Sequence, residues 1–146
     1  AQALRGDPRV LIVDEPTAGL DPEERIRFRN LLAELAGNRI ILLSTHIVAD
    51  VESACPSLAV IDGGRLRFVG SPGELARRAE GRVWQLELPA ADYERLRPRL
   101  RVVGARRTGD SMELRVLDPE NPLGQGRPLP PTLEDGYLAL MEGIPA

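Results

Sequence analysis

Leu11-Ile12-Val13-Asp14-Glu15-Pro16 is an apolar run that stops abruptly in two carboxylates and a proline. With Val10 in front, it has the β-branched density of a strand in a parallel sheet, covered on both faces. Pro16 has no N–H to offer a ladder, so the strand ends there. The carboxylates of Asp14 and Glu15 therefore fall at the carboxyl end of the strand, where open α/β sheets place ligands. Two adjacent acids repel each other unless something compensates, and a divalent cation is the natural compensation. Mg²⁺ takes one or two carboxylates together with waters and phosphate oxygens. Acids bounding a strand are also ordinary turn residues, and the six residues alone do not separate these readings.

The next segments extend the parallel pattern. Asp21 stands at an N-cap, Pro22 at the first helical position and Glu24 where a capping-box acid belongs. Ile26, Leu31, Leu32 and Leu35 form the expected apolar stripe of this helix, and Gly37 is expected to end it. Arg39-Ile40-Ile41-Leu42-Leu43 then repeats the strand pattern. Strand, helix and strand make a βαβ unit, whose crossover is right-handed. Ser44-Thr45-His46 closes the second strand, so parallel neighbours would bring His46 close to Asp14 and Glu15. His46 is the single histidine of the chain, and a lone histidine is more often structural than functional. Asp21, likewise, has a complete structural task as a cap.

Further on, a helix is expected over 48–54, halted before Pro56. Asp62-Gly63-Gly64 between two apolar runs signals a hairpin, expected as an antiparallel edge of the parallel sheet. Ser71-Pro72-Gly73-Glu74 reads as a capping box opening a helix to about Ala79. From Arg82 the texture changes. An alternating run, 83–88, places Trp84, Leu86 and Leu88 on one face, and a short helix follows over 93–99. Two strands flank Thr108-Gly109-Asp110. Residues 118–131 are rich in Pro and Gly and are expected to be an irregular loop, with Thr132 capping a last helix over 133–141.

Composition narrows the classes of function. The chain has 146 residues, 42% of them hydrophobic, and a net charge of −3, which gives no electrostatic invitation to nucleic acid. One cysteine rules out an internal disulfide. No apolar run approaches the roughly 20 residues of a membrane span. No His/Cys ligand cluster and no nucleophile–histidine–acid triad can be assembled. The sequence contains no lysine, and it opens at Ala1-Gln2-Ala3-Leu4 without methionine, which reads as the tail of a helix and as a fragment of something longer.

Read in order, Leu11 to Pro16, then Ala18-Gly19-Leu20-Asp21, then Ser44-Thr45-His46, the chain closely resembles the ATP-binding subunits of ABC transporters. These stretches are similar to that family's Walker B, D-loop and H-loop. The resemblance is strong over residues 1–79. It is weaker over 82–141, which is similar to the C-terminal extension of some bacterial export-type subunits, closing in Thr132-Leu133-Glu134-Asp135-Gly136-Tyr137-Leu138. It implies an α/β fold: a partial P-loop NTPase core with parallel strands and an antiparallel hairpin edge, plus a small α/β extension. The implied limits are an ATPase portion over 1–80, an extension over 81–117, a loop over 118–131 and a closing helix and tail over 132–146.

Carried onto this sequence, the resemblance makes Asp14 the Mg²⁺ ligand through water and Glu15 the group that polarises the attacking water. His46 would contact the γ-phosphate, and Asp21 would lie at a dimer interface between two ATP sites. The implied cofactors are ATP and Mg²⁺. The implied partners are a second ATPase subunit, head to tail, and a membrane permease that holds the protein on the cytoplasmic face. The phosphate cradle G-x-x-x-x-G-K-[ST] and the LSGG-type signature are absent from the sequence, so this stretch alone is expected to bind ATP weakly or not at all. It is also expected to express poorly or to self-associate. The competing reading is a non-catalytic interaction or regulatory module; a soluble ABC ATPase unrelated to transport is a more distant third.

Overall fold

A computed structural model describes residues 7–142, so the expectation for Ala1 to Leu4 lies outside the described residues. The chain divides into two compact units, residues 1–58 and 59–146.

In the first unit, β1 (Val10–Asp14) and β2 (Ile40–Ser44) pair in parallel, with Val10 opposite Ile40 and Asp14 opposite Ser44. Between them runs α1 (Pro22–Leu35). Its start follows from local chemistry: Asp21 accepts from the Glu24 N–H at 2.8 Å, and the Glu24 carboxylate accepts from the Asp21 N–H at 3.3 Å. The apolar stripe is thinner than its spacing suggests. Leu32 is buried, while Ile26 and Leu31 are exposed. Helix α1 ends through Ala36, whose N–H bonds to the Leu32 carbonyl in a right-handed conformation. Gly37 stands just past this cap, where a terminating glycine belongs, but without the positive φ of a left-handed cap. Helix α2 (Val48–Ala54) stops as expected, with Cys55 extended ahead of Pro56.

The two strands are not covered on both faces. Leu11 is buried and Val13, Ile41 and Leu43 are half-buried, whereas Val10, Ile12, Ile40 and Leu42 point the other way into the open. Ile12 is 67% exposed and Ile40 68%. A continuous apolar run gives no parity signal, and the pleat sends alternate residues to opposite faces whether or not both are covered.

The second unit begins with the hairpin β3 (Leu58–Asp62) and β4 (Arg65–Gly70). Gly63 and Gly64 both have positive φ, 54° and 74°, as a two-residue hairpin turn of type I′ requires. Among the described residues this hairpin is a two-stranded sheet of its own, which corrects the expectation of an antiparallel edge on the parallel sheet. The turn alone fixes the local pairing, and nothing in the hairpin's sequence specifies a third strand. Helix α3 (Pro72–Ala76) opens with the Ser71–Glu74 capping box and tightens into a 3-10 turn through Ala79.

A four-stranded antiparallel sheet follows: β5 (Val83–Pro89), β6 (Val102–Thr108), β7 (Ser111–Leu117) and β8 (Arg127–Pro128), in the order β6-β7-β5-β8. Strand β8 and a 3-10 turn at Pro122–Gly124 lie within 118–131, so that stretch is more ordered than its composition suggests. Its register is set by backbone pairing of Gln85 with Arg127, which composition does not encode. Leu86, Leu88, Leu114 and Val116 cluster on one sheet face with Tyr93 and Leu96 of α4 (Ala90–Leu96). Val83 and Leu117, of opposite parity, cluster on the other face with Ala79 and with Ala139 of α5 (Leu133–Met141). Helix α5 also crosses α3 so closely that a Cβ on Gly136 would lie 2.0 Å from the Leu75 carbonyl oxygen. Residue 80, the expected limit of the ATPase portion, thus lies inside the second unit.

Candidate functional site

The carboxyl edge of the parallel pair brings two of the four candidate residues into contact. Hydrogen bonding between the strands continues one residue past β1, where the Glu15 N–H donates to the Ser44 carbonyl at 2.8 Å. There the chain reverses. Glu15 has φ of 43°, left-handed for a residue that precedes proline and would otherwise prefer extended backbone. Such a conformation costs about 1–2 kcal/mol, and here it turns the Glu15 side chain toward the loop that follows β2. One Glu15 carboxylate oxygen lies 2.8 Å from His46 Nδ1, and the other accepts from the Thr45 hydroxyl at 3.4 Å. Thr45 Oγ1 in turn accepts from the Ile47 N–H at 3.1 Å, which fixes the loop beside it. The imidazole is exposed and the carboxylate half-buried. Their contact is an ion pair only while His46 is protonated.

Asp14 occupies the last position of β1, exposed and opposite Ser44. A single exposed carboxylate at this edge fits the donor set of Mg²⁺, which draws its remaining oxygens from waters and phosphates. Among the described residues no group of three His, Cys, Asp or Glu side chains could hold a metal ion alone. Asp21 is exposed, and its carboxylate is engaged in capping α1.

Two functional-looking residues escaped the sequence reading. The Thr17 hydroxyl donates to Asp50 Oδ2 at 2.6 Å, and both residues are only 2% exposed. Arg29 of α1 reaches the other Asp50 oxygen at 4.0 Å and donates to the Ser53 hydroxyl at 2.9 Å. Thr17 reads as a turn residue and Asp50 as an ordinary first-turn acid. Only a contact 33 residues apart in sequence reveals their burial together. Cys55 lies near this acid; burial first, and Asp50 second, push its thiol above the usual value.

The second unit carries its own charged network. Arg115 Nε donates to both Asp135 oxygens at 3.0 and 3.2 Å, and its terminal nitrogen donates to Oδ2 at 2.6 Å. The Asp135 carboxylate also accepts from the Thr132 N–H and hydroxyl, each at 2.7 Å. Burial would raise the Asp135 carboxyl, but the Arg115 and Thr132 hydrogen bonds outweigh it and hold it below the usual range. An open groove of about 310 Å³ beside this network is lined by Gln85, Arg106, Glu113 and Leu129 among others.

By sequence the chain is a relative of the ATP-binding proteins of ABC transporters. It is 36% identical over 152 residues to the Nod factor export ATP-binding protein I of Burkholderia orbicola (strain AU 1054). That match takes in 96% of this chain and 49% of the relative. Over 93 residues it is 42% identical to the human phospholipid-transporting ATPase ABCA7, covering 62% of this chain and 4% of that protein. Over 78 residues it is 35% identical to ABC transporter A family member 11 of Dictyostelium discoideum, covering 53% of this chain and 9% of the relative. The chain spans about half the length of the Burkholderia relative. No family model matches it. Among the described residues no helix is long and apolar enough to cross a membrane.

Proposed function

We propose that this chain is the Walker B, D-loop and H-loop portion of an ATP-hydrolysing ABC transporter subunit with a P-loop NTPase core. The contact that carries the reading is the 2.8 Å approach of His46 to Glu15, at the edge where the strand bearing Asp14 ends. In it Asp14 holds Mg²⁺ through water, and Glu15 orients and polarises the attacking water. His46 contacts the γ-phosphate and steadies Glu15, and Asp21 faces a second ATPase subunit. When bound, Mg²⁺ neutralises charge developing on the phosphates. The side chains of this chain contribute positioning: one carboxylate oxygen of Glu15 is held by Thr45 and the other by His46.

Phosphate-gripping elements would come from sequence outside this stretch, and the segment alone is inactive. Residues 1–80 form the ATPase portion, followed by an extension (81–117), a loop (118–131) and a closing helix and tail (132–146). The subunit works on the cytoplasmic face with a membrane permease. Export is the favoured direction, supported by the export role printed in the name of the relative matched over 96% of this chain.

The test is Glu15→Gln in the longer ATP-binding protein that carries this segment. Loss of the carboxylate should retain bound ATP and slow hydrolysis by about 10²–10⁴-fold. Hydrolysis at the unaltered rate would remove Glu15 from this role.

A further inference from the structure

The loop joining β1 to α1 is a pair of consecutive turns with Thr17 at their junction. The Ala18 N–H donates to the Glu15 carbonyl, and the Leu20 N–H donates to the Thr17 carbonyl, each at 3.2 Å. Glu15 enters the first turn with left-handed backbone (φ 43°), and the second turn uses it centrally at Gly19 (φ 79°). Backbone hydrogen bonds this long and a strained φ do not lock a loop by themselves. What fixes the loop is a side chain: Thr17 is buried and its hydroxyl is spent on Asp50.

Asp50 belongs to the first turn of α2, where its N–H donates to the Ile47 carbonyl at 3.0 Å, four residues beyond His46. The Thr17–Asp50 bond therefore ties the loop carrying Glu15 and Asp21 to the helix that anchors His46. Arg29 approaches the same carboxylate from α1. A buried carboxylate left without a donor costs about 1–3 kcal/mol or more, so the bond has a strong tendency to stay made.

The geometry points to Thr17 and Asp50 as a positioning pair that sets the separation between Glu15 and His46. Neither touches the candidate reacting atoms; each acts through the residues it holds. The inference rests on the function proposed above and deepens it. It makes the alignment of water-orienting and phosphate-contacting groups depend on one buried hydroxyl–carboxylate bond.

The experiment compares steady-state ATP hydrolysis by Thr17→Val, Thr17→Ser and Asp50→Glu in the longer ATP-binding protein, beside Glu15→Gln. Thr17→Val keeps shape and removes the donor; kcat should fall about tenfold while KM for ATP stays within about twofold. Thr17→Ser restores the hydroxyl and should restore most of kcat. A purely structural role would instead lower the folded fraction, read by circular dichroism, with kcat per folded molecule unchanged; that result overturns the inference. If Thr17→Val does not fold, Asp50→Glu decides: it keeps the charge and displaces the bond by one methylene. A selective loss of kcat supports the pair, and an unaltered kcat rejects it. If Glu15→Gln blocks hydrolysis while Thr17→Val behaves as the parent, the pair fails alone. An active Glu15→Gln protein would sink the underlying functional reading instead.

Discussion

The two units of this chain are ordered by different means. The first has two buried apolar side chains among its described residues, Leu11 and Leu32, and two buried polar ones, Thr17 and Asp50. Its sheet leaves an aliphatic face in the open. Among its described residues the second has eleven buried Leu, Val and Ala side chains, eight of them clustered on the two faces of an antiparallel sheet. Burying one leucine contributes about 2 kcal/mol, so the second unit has a core of its own and the first relies on caps, a short parallel ladder and a polar hub. Candidate chemistry sits on the less self-sufficient unit. The second unit, which carries none of the candidate residues, is the better packed.

The contrast can be broken most forcefully at Gly136. In Gly136→Ala the new methyl must displace the Leu75 backbone, and overpacking of this kind costs about 3 kcal/mol. Calorimetry should show the second unit's transition lowered or lost; an unshifted transition would mean that α3 and α5 do not meet as described. Next comes Asp135→Ala, which removes the acid of the Thr132 capping box and leaves Arg115 without its carboxylate, at about 2 kcal/mol. Its pH dependence has a definite sign. The Asp135 carboxyl titrates lower folded than unfolded, so its contribution is present above the unfolded value of about 3.9. It is lost as pH falls through the lower folded value. Urea midpoints taken by circular dichroism from pH 6 to pH 3 should therefore decline less steeply in Asp135→Ala than in the parent. The smallest effect belongs to the open face. Ile12→Thr with Leu42→Thr should alter stability by only about 0.5 kcal/mol yet reduce self-association of the 146-residue chain in sedimentation. Association undiminished in the double variant would place the sticky surface elsewhere.

What could be read from the sequence was local. The capping boxes Asp21–Glu24 and Ser71–Glu74 and the cap at Thr132 each join residues three positions apart, and all three form. Gly63-Gly64 specified its turn for the same reason. The meeting of Glu15 with His46 was legible because two apolar strands joined by a helix must run parallel, which aligns their ends. Thr17 with Asp50 and Arg115 with Asp135 were not legible, since a side-chain bond between distant residues leaves no periodic trace. Nor was the exposure of Ile12 and Ile40, because a continuous aliphatic run looks the same whether one face is covered or two. The reversal at Glu15 also went unseen: its φ runs against the preference of a residue before proline, so only the tertiary setting can impose it.

Trp84 bridges to the carbonyl of Asp118 through its indole N–H at 2.9 Å, and it is the single tryptophan of the chain. Both tyrosines, Tyr93 and Tyr137, also lie beyond residue 58. The tryptophan and both tyrosines therefore reside in the second unit. Intrinsic emission will follow the melting of that half. An optical probe of the candidate site would have to be introduced.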